Sequence, residues 1–197
     1  MSYRRISAVR SAALAALILA VSAGMAEAHT GGVASGLAAG AAHPLSGLDH
    51  LLAMVAVGIW AVRLGGYAVV AIPSAFVVMM GLGALLGLGG IGLPAVEPGI
   101  AASLLVLGLL IATSLRAPVW MGALVVGLFA LFHGHAHGAE LPASISEGSF
   151  IGGFLVATTA LHGLGIVLGR IFAGRFLWVE RLAGAGVAAM GGALLFA

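Results

Sequence analysis

Six apolar stretches, each close to the ~20 residues that cross a bilayer, follow one another along the chain: 45–64, 67–89, 98–115, 118–137, 148–169 and 177–197. Turn chemistry separates them, at Arg63-Leu64-Gly65-Gly66, at Gly89-Gly90 with Pro94 and Pro98, at Arg116-Ala117-Pro118, between Pro142 and Gly148, and at Arg170 with Gly174-Arg175. The pattern predicts an all-α membrane protein, a six-helix transmembrane bundle occupying residues 29–197 as one domain. Ahead of it, Arg4, Arg5 and Arg10 precede a short apolar run at 12–23 and then Ala26-Glu27-Ala28. That is the charged, apolar and small-residue order of a secretory signal peptide, residues 1–28. Cleavage there makes His29 the first residue of the mature chain, with the small-residue stretch 31–42 as a flexible link to the bundle.

Composition narrows the classes. The chain of 197 residues is 62% hydrophobic and 7% charged, against roughly a quarter charged in soluble domains. The 32 Gly suit close helix packing in lipid, with Gly83-x-x-x-Gly87 and Gly165-x-x-x-Gly169 as candidate seams. No Cys is present, which excludes disulfides and thiolate metal sites. All basic residues are Arg, and beyond residue 28 five of them balance Asp49, Glu97, Glu140, Glu147 and Glu180. No basic patch is left for nucleic acid. With no Lys, the chain has no phosphate-binding Gly-x-x-x-x-Gly-Lys motif for a nucleotide.

Orientation follows from two separate signals. A cleaved signal peptide puts the mature N-terminus outside, so the loops at Arg63, Arg116 and Arg170/Arg175 fall inside, as the positive-inside rule requires. Glu97, Glu140 and Glu147 fall outside.

The chemistry-bearing residues then meet in one layer. His43, Asp49 and His50 open the first span; His133, His135 and His137 close the fourth; Glu97 begins the third and Glu140 follows the fourth. Ionisable groups in or beside a span are costly and by default mark an ion path or binding site. Imidazole and carboxylate without thiolate is the ligand set of a borderline divalent metal: Ni²⁺, Co²⁺ or Zn²⁺. Helical spacing puts His43 and His50 on one face of the first span, with Pro44 in its first turn. His133, His137 and Glu140 share a face of the fourth, and His135 points away. Asp49 is either a ligand or the partner that fixes a ligand's tautomer. His162, deep in the fifth span, reads as a histidine bonded to a carbonyl, with a role as a later ion station as the alternative. Phe76 and the pair Met79/Met80 read as packing or lipid-facing residues.

The strings His43-Pro44-x-x-Gly47-x-Asp49-His50-x-Leu52-Ala53-Met54 and Phe132-His133-Gly134-x-Ala136-His137-Gly138-x-Glu140 resemble the signature motifs of the HupE/UreJ family, and the resemblance covers the whole chain. It implies a bacterial inner-membrane nickel permease that works without ATP, linked to hydrogenase or urease maturation proteins. It also implies that His43, Asp49, His50, His133, His137 and Glu140 matter for nickel passage and that Glu97 and Phe76 match further family positions, while His135 falls on a variable one. Nickel is then substrate, and no cofactor is expected. Two other readings stand beside this one. An intramembrane metalloenzyme lacks support from any His-Glu-x-x-His or paired Glu-x-x-His pattern, and a metal-sensing accessory subunit would not transport.

Overall fold

A computed structural model describes residues 33–141, 146–173 and 176–197; the expected signal segment and His29 lie outside the described residues. Seven helices follow in order: α1 (Val33–Ser46), α2 (Leu48–Leu64), α3 (Ala68–Leu88), α4 (Val96–Ala112), α5 (Val119–Ala139), α6 (Glu147–Phe172) and α7 (Leu177–Leu195). No strand occurs among the described residues. The last five apolar stretches reappear as α3 to α7, their ends displaced by three residues or fewer. By length and composition α3, α5 and α6 are long and apolar enough to cross a membrane, and α1 with α2 makes a fourth crossing if the pair is one broken span.

The first stretch departs from expectation. It is two helices meeting at 85°, with Gly47 extended between them (φ −100°, ψ 119°). Polar side chains close both ends of the break. The Ser46 hydroxyl donates back to the His43 carbonyl at 2.6 Å, and Asp49 Oδ1 accepts the His50 amide N–H at 2.8 Å. Pro44 therefore lies in the last turn of α1, not the first turn of α2. His43 and His50 belong to different helices, so they do not meet by sharing a helical face. Of the expected flexible link 31–42, the described part is helix, which runs from Val33. Its Ala-rich sequence favours helix, and Gly40 and Gly153 let α1 and α6 approach until a Cβ at either would strike the other's backbone.

α2 is the central helix and touches all six others. Its run from Ala53 to Ala61 is buried almost throughout, the signature of a helix surrounded on every side. The flanking pairs α3/α5, α4/α7 and α2/α6 close on glycine seams. Gly83 and Gly87 of α3 face the Leu131 and His135 carbonyls, and Gly134 and Gly138 of α5 face those of Met80 and Ala84. Gly58 and Gly165 serve α2/α6 in the same way, and Gly108, Gly184 and Gly191 serve α4/α7.

Polarity is inverted relative to a soluble protein. Val70, Val78, Leu124 and Val156 are each about two-thirds exposed, while Ser103, His133, His137, Thr158, His162 and Glu180 are buried. An apolar outside around polar groups suits lipid as the solvent. The two ends of the bundle also differ. At one, Arg63 of α2 pairs with buried Glu180 of α7 at 3.5 Å, Arg181 donates to Ser114 at 3.1 Å, and Arg63, Arg116 and Glu180 line one cleft with Gly169 and Ala173. The histidines gather at the other.

Candidate metal site

The break at Gly47 and the C-terminal turns of α5 bring the two histidine strings together. His137 is the hub, its ring 4.7 Å centroid to centroid from both His43 and His50. Phe154 of α6 stacks on it at 4.9 Å and 25°. His50 reaches a second histidine, His133, at 4.8 Å and edge to face. Glu140 caps α5 at the rim, with Oε2 3.5 Å from His43 Nε2.

Hydrogen bonding fixes which nitrogens are free. His50 Nδ1–H donates to Asp49 Oδ1 at 3.1 Å, which leaves Nε2 as the bare lone pair of a neutral ring. The Ser103 hydroxyl spends its one proton on the Ile100 carbonyl at 2.6 Å. Its 2.9 Å contact with His133 Nε2 is therefore a bond donated by the imidazole, and Nδ1 is left bare. Among the described residues, His50 Nε2, His133 Nδ1 and both nitrogens of His137 are buried without a hydrogen-bond partner. An unpartnered buried polar atom costs about 1–3 kcal/mol. Four at one spot are hard to explain by packing alone; His137 keeps an N–H on one of its two nitrogens, and a cation accepting the other three lone pairs would relieve them. The rings now lie edge to face or tilted, and among the described residues no three His, Asp or Glu side chains already converge in metal-ligand geometry.

The remaining candidates separate cleanly. His135 points the other way, as its helical phase requires, and donates Nε2–H to the Ile91 carbonyl at 2.9 Å. His162 donates Nδ1–H to the Met54 carbonyl at 2.8 Å, the carbonyl bond expected of it. Phe76 is buried, its ring 5.8 Å from that of His133 and 5.1 Å from that of His162. Glu97 is exposed in the first turn of α4, about 9 Å of helix from Ser103, and none of the hydrogen bonds or ion pairs described for the cluster includes it. Sequence reasoning missed Ser103 and Phe154, because a single Ser or Phe in an apolar helix carries no signal until its neighbour is known.

Ser103 gives the first expectation. Ser103→Ala frees His133 to turn and to change tautomer, and groups that orient a ligand in this way are worth about 10–100-fold in metal affinity. The dissociation constant for a divalent ion such as Ni²⁺ on the purified protein should rise by roughly tenfold or more, with the melting temperature unchanged. An unchanged dissociation constant would show that the Ser103 contact orients nothing.

A helical membrane protein with buried imidazoles at one end, and Asp49 and Glu140 beside them, has the side chains of a metal-handling protein. The chain matches the family described as HupE / UreJ protein over residues 16–194. It is 50% identical over 196 residues to Protein HupE of Rhizobium leguminosarum bv. viciae, covering 99% of each chain. No solved structure matches it. The chain belongs to the HupE/UreJ family, whose members are transport-related accessory proteins of nickel or cobalt handling, linked to hydrogenase and urease, and not enzymes. The metalloenzyme reading is thereby set aside.

Proposed function

We propose that this chain is an inner-membrane permease that imports Ni²⁺, with Co²⁺ as the nearest competitor, from periplasm to cytoplasm. The single observation that carries the proposal is the set of buried, partnerless imidazole nitrogens beside Asp49. In this reading the ion enters past Glu140 and His43, and the rings of His50, His133 and His137 turn their lone pairs toward it. Neutral nitrogen and carboxylate ligands hold a divalent ion yet release it, which conduction requires. Asp49 keeps His50 in the ligating tautomer and offsets part of the ion's charge. Glu97, exposed near the same end, raises the local cation concentration without ligating.

The mature protein begins at His29 after loss of residues 1–28, and its six spans count α1 with α2 as one. The histidine end faces the periplasm and the arginine end the cytoplasm, in keeping with the positive-inside rule. His29, with its α-amine, adds a further chelating group at the periplasmic side. A divalent ion moving inward gains about 4.6 kcal/mol at 100 mV, enough for accumulation on the order of a thousandfold without ATP.

Purified protein in proteoliposomes holding a nickel-quenched dye tests this directly. An inward-negative potential should drive Ni²⁺ entry that saturates with external metal. Asp49→Asn should raise the half-saturating concentration by roughly tenfold or more. Liposomes that bind nickel at the surface but admit none would leave the sensing role and remove the permease.

A further inference from the structure

Below the cluster the buried polar groups continue, and they use α3 and α6. His162 is about 1% exposed. Its Nδ1–H is committed to Met54, so Nε2 carries the lone pair, and that nitrogen has no partner among the described residues. One turn earlier on the same face of α6 stands Thr158, fully buried. A helical Thr ordinarily returns its hydroxyl to the carbonyl four residues back, as Thr159 does to Leu155 at 2.8 Å and Thr113 to Leu109 at 2.6 Å. Thr158 instead points at Met80 Sδ, 4.0 Å away on α3. Phe76, one turn from Met80 on α3, sets its ring edge to face against His162 at 5.1 Å and lies 5.8 Å from His133. A bare imidazole nitrogen and, one turn away on the same helix, a hydroxyl set against a thioether are thus buried beside a phenyl ring that also touches His133 of the cluster.

We propose that Nε2 of His162, with the Thr158 hydroxyl and Met80 Sδ, forms a second and deeper divalent-ion site, and that the Phe76 ring is the barrier between it and the periplasmic cluster. The inference rests on the permease reading and supplies its next step. Gly169 and Ala173, which line the arginine-side cleft, lie about 10 and 16 Å further along α6, so His162 stands between entry and exit. The thioether is softer than the carboxylates above. The formal charges of Asp49 and Glu140 stay at the mouth, so the ion is held less tightly here and moves on.

The test uses the full chain and Ni²⁺ as the probe. His162→Asn, whose Nδ2 takes the place of the ring Nδ1, keeps an N–H for the Met54 carbonyl but removes the imidazole lone pair at Nε2, so a purely structural tether survives in this variant. In proteoliposomes its maximal rate should fall roughly tenfold or more at an unchanged half-saturating concentration. In detergent it should bind one Ni²⁺ fewer per chain than wild type. Thr158→Val, nearly isosteric, should lower the rate severalfold with full thermal stability and serves as the second variant. Wild-type rate and stoichiometry in His162→Asn would overturn the second site and leave the permease standing. A loss of rate accompanied by lower melting temperature and weakened binding at the cluster would reduce His162 to a tether, and also overturn it. Absence of flux in wild type would remove the permease reading, and this inference with it.

Discussion

His137→Ala is expected to abolish nickel accumulation at low external metal while protein remains folded in the membrane. The ring is the only one described that touches both His43 and His50, so its loss separates the two arms of the site. Loss of a ligand should weaken uptake by at least about 100-fold, the upper end of what the supporting partners of a ligand are worth. Stability should change little. The lost stacking on Phe154 leaves a cavity that costs about 3 kcal/mol or more. Against that, two partnerless buried nitrogens disappear, each relieving about 1–3 kcal/mol. His135→Ala is the control. It loses one hydrogen bond to Ile91, worth about 1 kcal/mol, and should stay within roughly twofold of wild-type uptake on that account. Radioactive nickel accumulation, normalised to membrane protein, reads both. Equal defects at the two positions would refute the division of faces on α5.

The second large effect is structural. Gly134→Val should prevent the α3/α5 pair from closing, because even a Cβ there runs into the Met80 carbonyl oxygen and lies 2.9 Å from the Ala84 nitrogen. Backbone atoms cannot step aside as a flexible side chain does. Overpacking of this kind costs about 1–3 kcal/mol, and more against rigid neighbours. Gly134 is flanked by His133 and His135, so any shift of α5 also displaces His133 and His137. Thermal unfolding in detergent should show a clearly lowered midpoint, with uptake lost. Gly186→Ala on α7 is the contrasting substitution. Nothing lies within 4 Å of its Cβ, and it should be neutral or stabilise by up to about 1 kcal/mol. Similar behaviour of the two variants would mean that the α3/α5 seam does not depend on glycine.

The helices α3 to α7 were legible because uninterrupted apolar runs between Arg, Gly and Pro turns allow little else in lipid. The meeting of the two histidine strings was legible from span counting alone, since alternate crossings return odd starts and even ends to one side. Helical phase sufficed to turn His135 away from His133 and His137. The break at Gly47 was not legible. His43 and His50 are seven residues apart, as on a continuous helix, and only the Ser46 and Asp49 side-chain bonds reveal the two helix ends. The glycine seams were ambiguous for a different reason. In a chain with 32 Gly the spacing x-x-x recurs by chance, and the partner's register decides which glycines matter. Ser103, Phe154 and the Arg63–Glu180 pair depend in the same way on contacts distant in sequence.

The central claim is that His50, His133 and His137 become ligands of one nickel ion. X-ray absorption at the nickel edge, on purified protein loaded with one Ni²⁺ per chain, reads the ligands themselves. Multiple-scattering from at least three imidazoles, reduced by one in His137→Ala and unchanged in His135→Ala, is the predicted result. A spectrum fitted by oxygen ligands alone, or one indifferent to His137, would contradict the account.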